Sequence, residues 1–181
     1  MLKNGIDPDF FDFTYTPIIQ SSNYQFKLNI ENSEEELGDK CILLSVSCKY
    51  FDLMTNCYRT MLINPDDKTK SNYRALLSLH QNILGELQPG EIIQSVIHKA
   101  VNEFKKKHPD LANKLPDKFG YGIGFEFWEK SLTLSEKTQL EIKENNVFNV
   151  VTSLKNLEDG LAMLLSDTVV IKAGGNVKLT D

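Results

Sequence analysis

The chain has 181 residues, 41% of them hydrophobic, and its 25 acidic and 20 basic side chains give a net charge of -5. This composition is typical of a single globular domain that is long enough to bury its own core. The acidic excess argues against broad electrostatic binding to DNA or RNA, and no run of eighteen apolar residues is available to span a membrane. The N-terminus lacks the apolar core of a signal peptide. We therefore expect Cys41, Cys48 and Cys57 to be reduced thiols of a cytosolic or nuclear protein.

The first forty residues contain prolines and aromatic residues without a helical pattern. Pro8 and Pro17 make a long helix unfavourable, so residues 1–11 are expected to form an extended segment. Aromatic and aliphatic residues alternate with polar ones at 24–30, which predicts a half-buried strand. Residues 31–40 are acidic and predict a loop, which is either a solvated turn or a contact for a basic partner.

The next segment predicts a β-hairpin. Residues 41–50 and 57–63 are rich in β-branched and other strand-forming residues. The six residues at 51–56 would connect the two strands. An Asn-Pro-Asp-Asp sequence at 64–67 then ends the second strand.

Two amphipathic helices are predicted after the hairpin. Apolar residues recur at intervals of three and four over 70–87 and again over 91–106. Pro-Gly at 89–90 separates the helices. His80 lies on the apolar side of the first helix and is expected to be packed in the core, whereas His98 lies on the polar side of the second.

The last third of the chain is rich in predicted strands. Five segments have this composition: residues 120–128, 147–151, 161–165, 167–173 and 176–180. Gly120, Gly122 and Gly124 resemble a phosphate-binding loop only superficially, because the aromatic alternation after them favours a continuing strand over a helix. Such glycines are expected to let another backbone approach closely. Strands, two helices and then strands predict an α+β fold with an antiparallel sheet backed by helices.

Residues suited to catalysis or metal binding are scarce. His80, His98 and His108 have no partners at metal-ligand spacing, and the cysteines form no Cys-x-x-Cys motif. No base or electropositive setting for a nucleophilic cysteine is recognisable in the sequence. We expect no cofactor.

Several separated motifs, in order, resemble one fold family. They are FDFTYTPIIQSS at 11–22, YFDLMTNCYRT at 50–60, FGYGIGFEFW at 119–128, NVFNVV at 146–151 and LLSDTVVI at 164–171. Together they resemble the pita-bread (creatinase/aminopeptidase-like) fold of aminopeptidase P and methionine aminopeptidase. The first and third motifs are more similar to the peptidase-like domain of the large subunit of the FACT histone chaperone. The resemblance extends from about residue 10 to the end.

The resemblance implies the organisation of the chain. It implies one peptidase-like domain over residues 12–181, with a curved antiparallel sheet backed by helices, after the extended segment at 1–11. Only the C-terminal lobe of a two-lobed domain is recognised. The chain is therefore expected to be a fragment of a larger multidomain protein.

The same resemblance implies that the metal-binding residues of the enzymes have been replaced. The enzymes hold two divalent ions with two aspartates, one histidine and two glutamates. The corresponding degenerate positions in this chain are Ser45, Asn56, Tyr121, Val151 and Ser166. These side chains supply no carboxylate and no imidazole, which a pair of divalent cations requires. Asp167 follows Ser166, but successive strand residues point to opposite faces. We therefore expect no metal and no catalytic residue.

The resemblance also implies a cleft where the enzymes bind an extended peptide. Five residues are expected to line it: Asn56, Tyr58, Arg59, Tyr121 and Trp128. Two alternatives remain open from the sequence. Either packing fills the cleft, or the cleft keeps a peptide-binding shape without chemistry.

As a function, the resemblance implies a non-catalytic histone-binding module of FACT, which helps nucleosome disassembly and reassembly during transcription, replication and repair. The implied partners are core histones, bound weakly, and the smaller FACT subunit, bound through other domains of the full protein. The implied location is the nucleus, on the chromosome. One alternative is a scaffold that docks replication or transcription proteins in the old peptide cleft. A remote alternative is a metallo-aminopeptidase. The histone-contacting surface is unknown.

Overall fold

The structure is a computed structural model, and it describes Gly5, residues 7–21 and residues 40–180. The strands of this described part are β1 (Phe11–Phe13), β2 (Ile18–Ser21), β3 (Cys41–Tyr50), β4 (Leu53–Leu62), β5 (Gly120–Gly122), β6 (Val147–Leu154), β7 (Met163–Lys172) and β8 (Gly175–Lys178). Its α-helices are α1 (Asp67–Glu86) and α2 (Ile93–Lys107). The strand predicted at 24–30 and the acidic loop through residue 39 lie outside the described residues.

All the described strands join one antiparallel sheet. Its order is β1-β3-β4-β7-β6-β5, with β2 also paired to β3 and β8 also paired to β7. Strands β4 and β7 share only one ladder pair, Tyr58 with Ser166. Helix α1 packs against β6 and β7, and α2 packs against α1. This arrangement confirms the predicted α+β fold, an antiparallel sheet with helices packed on one side.

The two predicted helices are confirmed, with small shifts at their ends. Helix α1 begins three residues before the predicted 70–87, because the Asp66 carboxylate accepts a hydrogen bond from the Thr69 amide (2.7 Å) and caps the helix. Helix α2 begins two residues into the predicted 91–106. His80 is buried and His98 is exposed, as predicted. Of the described helices, none has the length and apolarity needed to cross a membrane.

The main core lies between the helices and the sheet. Its fully buried members include Leu76, Leu79 and Ile83 of α1, Ile97 of α2, and Phe148 of β6. Burial of each such side chain contributes roughly 1.5–3 kcal/mol relative to exposure. The predicted apolar positions include Leu76, Ile83 and Ile97. They do not include buried Leu79, and they do include exposed Leu77, so the sequence pattern identified this part of the core incompletely.

The predicted hairpin forms between β3 and β4, but the six-residue loop predicted at 51–56 is wrong. Only Phe51 and Asp52 lie between the two strands. Phe51 adopts a left-handed backbone with φ of 51°, and its ring stacks on Phe10 with centroids 4.3 Å apart. This contact, with a segment forty residues earlier, supports a turn conformation that a non-glycine residue rarely adopts.

The strand predicted over 120–128 is also wrong in its extent, since β5 ends at Gly122. The chain then loops and returns, and the Glu129 amide donates to the Gly122 carbonyl (2.9 Å). Phe125 is 77% exposed, so the aromatic alternation does not mark a buried strand face. Gly120 has the predicted role. Its φ is +136°, and a Cβ there would lie 2.2 Å from the backbone oxygen of Asn149.

The two strands predicted at 161–165 and 167–173 are one continuous strand, β7. Polar residues at 166–168 suggested a break, but they are buried inside the sheet. Their side chains find partners on neighbouring elements, as described below. Burial of hydrogen-bonded polar residues in a central strand therefore explains this error.

Candidate functional site

A group of polar side chains lies on the face of the sheet opposite the helices. The Tyr15 hydroxyl donates to Oδ1 of Asn56 (2.7 Å) and also hydrogen-bonds Oγ of Ser45. Asn56 in turn donates from Nδ2 to the Tyr121 hydroxyl (3.0 Å). We call seven linked side chains the neutral network: Tyr15, Ser45, Asn56, Tyr121, Asn149, Ser166 and Thr168.

The second half of the neutral network joins β4, β6 and β7. Nδ2 of Asn149 donates to the backbone oxygen of Asn56 (2.7 Å) and to Oγ of Ser166 (3.0 Å). The Thr168 hydroxyl donates to the same Asn56 oxygen (2.9 Å) and accepts from the Asn56 amide (3.1 Å). These bonds satisfy backbone groups where β4 and β7 share a single ladder pair. Side chains therefore replace ladder hydrogen bonds between the two halves of the sheet.

The phenols at this site remain uncharged near neutral pH. Burial raises the pKa of Tyr121 to about 12, although the hydrogen bond with Asn56 opposes this. Burial likewise raises the pKa of Tyr15 and of Tyr58, which packs beside them. All members of the neutral network therefore act as neutral hydroxyl or amide donors and acceptors.

The residue after Ser166 belongs to a different site on the other face of the sheet. Asp167 is buried, and its carboxylate accepts hydrogen bonds from Arg59 (Nη2, 2.7 Å) and pairs with Lys178 (Nζ, 3.2 Å). Nε2 of His80 lies 3.0 Å from the same carboxylate, and Nδ1 of His80 lies 3.0 Å from Oγ1 of Thr152. We call Arg59, His80, Asp167 and Lys178 the charged cluster.

The ionised state of Asp167 is strongly favoured in this cluster. Burial alone opposes ionisation, but hydrogen bonds from His80 and Arg59, together with the positive charge of Arg59, outweigh it and hold the pKa of Asp167 well below its usual range. Through His80, the cluster connects α1 to strands β6 and β7 of the sheet. Its carboxylate is directed away from the neutral network.

A pocket of about 210 Å³ opens next to the neutral network. Tyr58 and Tyr121 form its boundary with the network, and Trp128 and Val151 form part of its wall. The Trp128 ring packs on Tyr121 with centroids 5.6 Å apart. Beyond them the lining is mostly apolar. The pocket is therefore an open cavity beside the neutral network, whose polar side chains fill the adjacent space.

The structure separates the five residues expected to line the cleft. Tyr58, Tyr121 and Trp128 line the pocket. Asn56 is fully buried beneath Tyr121 and reaches the pocket only through it. Arg59 lies on the opposite face with Asp167 and does not line the pocket. Residues 58 and 59 diverge because successive strand residues point to opposite faces.

The five positions proposed to replace metal ligands are brought together. Ser45, Asn56, Tyr121 and Ser166 are all members of the neutral network. Val151 pairs with Ser166 across β6 and β7 and lines the pocket. Sequence positions more than one hundred residues apart thus converge on one face of the sheet.

This fold and site place the chain in a known class. A model of metallopeptidase family M24 matches residues 1–173, and the chain belongs to this family. The prolidase from Pyrococcus furiosus has the same fold, with a TM-score of 0.83 at 19% identity over 93% of this chain and 50% of that chain. The predicted pita-bread fold is therefore confirmed.

Within this class, the chain is similar to subunits of the FACT complex. The FACT complex subunit SPT16 of Eremothecium gossypii is 33% identical over 184 residues, and spt-16 of Caenorhabditis briggsae is 36% identical over 183. These matches cover 97% and 94% of this chain but only 18% of each relative. The N-terminal domain of SPT16 from chickpea (Cicer arietinum) matches with a TM-score of 0.93 and 30% identity, over 98% of this chain and 44% of that chain. The resemblance to the FACT large subunit is confirmed.

The M24 family name implies a bound metal, which the neutral network does not fit. Two divalent cations bring four positive charges, and their protein sites rely on carboxylates and imidazoles. The network offers hydroxyls, amides and phenols whose pKa values are raised, so it cannot offset those charges. Among the described residues, no group of three or more His, Cys, Asp or Glu side chains is arranged to bind a metal ion.

Sequence reasoning missed several residues of this site. Tyr15 fills space between Ser45 and Asn56, yet it precedes a proline-containing linker with no periodic signal. Asn149 is a fully buried polar residue within a predicted apolar strand. Lys118 and Lys155 line the pocket, but Lys118 follows a lysine-rich stretch and Lys155 is a single lysine after a predicted strand, so neither stood out. A buried asparagine in a strand was the one available signal, since such residues need specific partners.

Proposed function

We propose that the chain is a non-catalytic, histone-binding module of a FACT-type complex, helping nucleosome disassembly and reassembly in transcription, replication and repair. The observation that supports this is the match to SPT16 subunits along nearly the whole chain, at 33% and 36% identity. The fold match to the chickpea SPT16 N-terminal domain supports the same proposal. Fold alone would not distinguish this function from that of prolidases.

The neutral network supports the non-enzymatic part of the proposal. Ser45, Asn56, Tyr121, Val151 and Ser166 take the positions of the five metal ligands, and none of them is a carboxylate or an imidazole. Elemental analysis of the purified protein should find less than one equivalent of bound metal. A peptide-hydrolysis assay with manganese or cobalt should show no turnover. Two bound metals per chain would contradict the proposal and favour an aminopeptidase.

The partners and location follow from the same proposal. Core histones bind weakly to the surface of this module, and the smaller FACT subunit binds other domains of the full-length protein. The protein acts in the nucleus, on the chromosome. The net charge of -5 favours basic partners over nucleic acid.

A histone-binding assay tests the main proposal. Purified protein is mixed with core histones over a salt series, and capture is measured by pull-down and by titration. We expect weak capture that falls as salt rises, because exposed charge pairs are screened. An unrelated protein of similar net charge is the control. Absence of capture at low salt would contradict histone binding by this module.

The pocket favours a second function, docking of a partner peptide. It is lined by aromatic and aliphatic residues, which commonly form peptide anchor sites. Trp128→Ala should weaken capture of such a partner while circular dichroism shows an intact fold. Phe125→Ala is the matched control, because Phe125 lies in the same loop, is 77% exposed and does not line the pocket. Equal capture by both variants would contradict docking at the pocket.

A further inference from the structure

We propose that the pocket binds an extended acidic peptide, with one large apolar side chain inside it and Asp or Glu side chains of the same peptide against Lys118 and Lys155. The inference rests on the second proposed function, docking in the pocket, and adds the chemistry of the partner. It does not depend on histone binding.

The charge of the pocket is opposite to that of the chain. The chain has a net charge of -5, yet the described residues that line the pocket include Lys118 and Lys155 and no aspartate or glutamate. Both lysines are exposed. The Lys118 ammonium lies over the Trp128 ring, 5.1 Å from its centroid. Within the described part of the chain, neither ammonium forms a salt bridge with a carboxylate, so both remain available to an anionic partner.

The two lysines lie at the same end of the pocket. Lys118 precedes β5, and Lys155 follows the end of β6, which runs antiparallel to β5. The Val151 amide donates to the Phe119 carbonyl (2.9 Å), which aligns the start of β5 with the second half of β6. An acidic segment next to an apolar anchor would therefore meet both positive charges on one side of the anchor.

The apolar part of the pocket fits a single anchor side chain. Leu43, Met163 and Leu164 line it together with Trp128. Its volume of about 210 Å³ is below the roughly 300–1,000 Å³ of pockets that enclose whole small ligands. A peptide would therefore insert one residue and leave its flanking residues at the rim, where the lysines lie.

The two phenols at the inner boundary of the pocket carry no negative charge that would repel such a peptide. Tyr58 and Tyr121, which separate the pocket from the neutral network, have pKa values raised by burial. Their hydroxyls therefore stay neutral at physiological pH. A lysine- or arginine-rich histone segment would instead meet like charges at Lys118 and Lys155. Histone capture by this module therefore requires a different surface, so the two activities should separate by mutation.

Three matched fluorescent peptides test this inference by anisotropy. Each has one central leucine, flanked by glutamates, serines or lysines. We expect the glutamate peptide to bind about fivefold more tightly than the serine peptide at low salt, since each exposed ion pair contributes little. The difference should shrink as salt rises. Lys118→Gln/Lys155→Gln should abolish the preference, whereas Lys143→Gln, an exposed lysine outside the pocket, should keep it.

Each other outcome contradicts a distinct part of the proposal. Equal binding of the three peptides, or tighter binding of the lysine peptide, would overturn the acidic preference while docking at the pocket would stand. Binding of none of them would overturn both the preference and docking. The single variant Lys155→Gln controls for a folding defect of the double variant, because it keeps the contact between Lys118 and the Trp128 ring. Histone capture by the same variants should be unchanged, which keeps the main proposed function independently testable.

Discussion

The two faces of strand β7 differ in how their buried polar side chains are satisfied. Ser166 belongs to the neutral network, in which hydroxyls and amides satisfy one another without any formal charge. Asp167, the next residue, belongs to the charged cluster, where Arg59, His80 and Lys178 surround one carboxylate. Asp167, the buried carboxylate among the described residues, is thus held on the face away from the pocket. The neutral network thus lies beside the pocket, and the charged cluster lies on the opposite face of the same strands.

The largest expected effect comes from deleting the carboxylate of the charged cluster. Asp167→Ala leaves buried His80 and part-exposed Arg59 without their partner, and unfolding measurements should show a loss of about 3 kcal/mol. Asp117→Ala, which removes an exposed carboxylate, should change stability by less than about 0.5 kcal/mol. A small effect of Asp167→Ala would show that the cluster does not stabilise the fold.

The pH dependence of stability should report on the same carboxylate. The pKa of Asp167 is lower in the folded protein than in the unfolded chain. Its contribution is therefore complete above about pH 4, the ordinary range of an aspartate, and is lost as the pH falls below that. The stability difference between the wild type and Asp167→Asn should accordingly narrow between about pH 4 and pH 2. A difference that stays constant over this range would contradict the lowered pKa.

A substitution in the neutral network should lower the free energy of unfolding by less than a substitution in the charged cluster. Asn149→Ala removes donors to the Asn56 carbonyl and to Ser166. It leaves the buried Ser166 hydroxyl without its Asn149 acceptor, whereas the Asn56 carbonyl keeps its hydrogen bond from Thr168. The expected loss is about 2 kcal/mol in unfolding free energy. If Asn149→Ala cost more than Asp167→Ala, the ranking of the two faces would be wrong.

The smallest expected loss of stability is for Tyr15, which lies at the edge of the neutral network. Tyr15→Phe keeps the ring that packs edge-on against Phe127 and removes only the hydroxyl that bonds Ser45 and Asn56. A loss of about 1 kcal/mol is expected in thermal or urea unfolding. The double variant Tyr15→Phe/Asn149→Ala should deviate from additivity, because both residues bond Asn56. Strict additivity would indicate two independent groups instead of one network.

The strand and turn boundaries that were wrongly predicted from the sequence share one cause. Phe51 forms a tight turn because Phe10 stacks on it, and β7 continues through Ser166 and Asp167 because distant side chains satisfy them. The aromatic alternation after Gly122 looked like a strand, but the Gly124 carbonyl accepts a hydrogen bond from the Met54 amide (2.9 Å) and Phe125 faces solvent. In each case contacts from remote segments overrode the local pattern, and a single sequence does not display those contacts.

The sequence by itself determined the two helices, the antiparallel α+β fold and the kinship with the pita-bread family. Apolar periodicity and short motifs are local features of the chain, so they can be recognised without knowing which segments pack together. Only the tertiary structure decided that Tyr15 bonds Ser45 and Asn56, that Arg59 and Tyr58 lie on opposite faces, and that Lys118 and Lys155 lie at one end of a pocket. Those facts depend on strand pairing and side-chain direction across the sheet, which join residues from 30 to 108 positions apart.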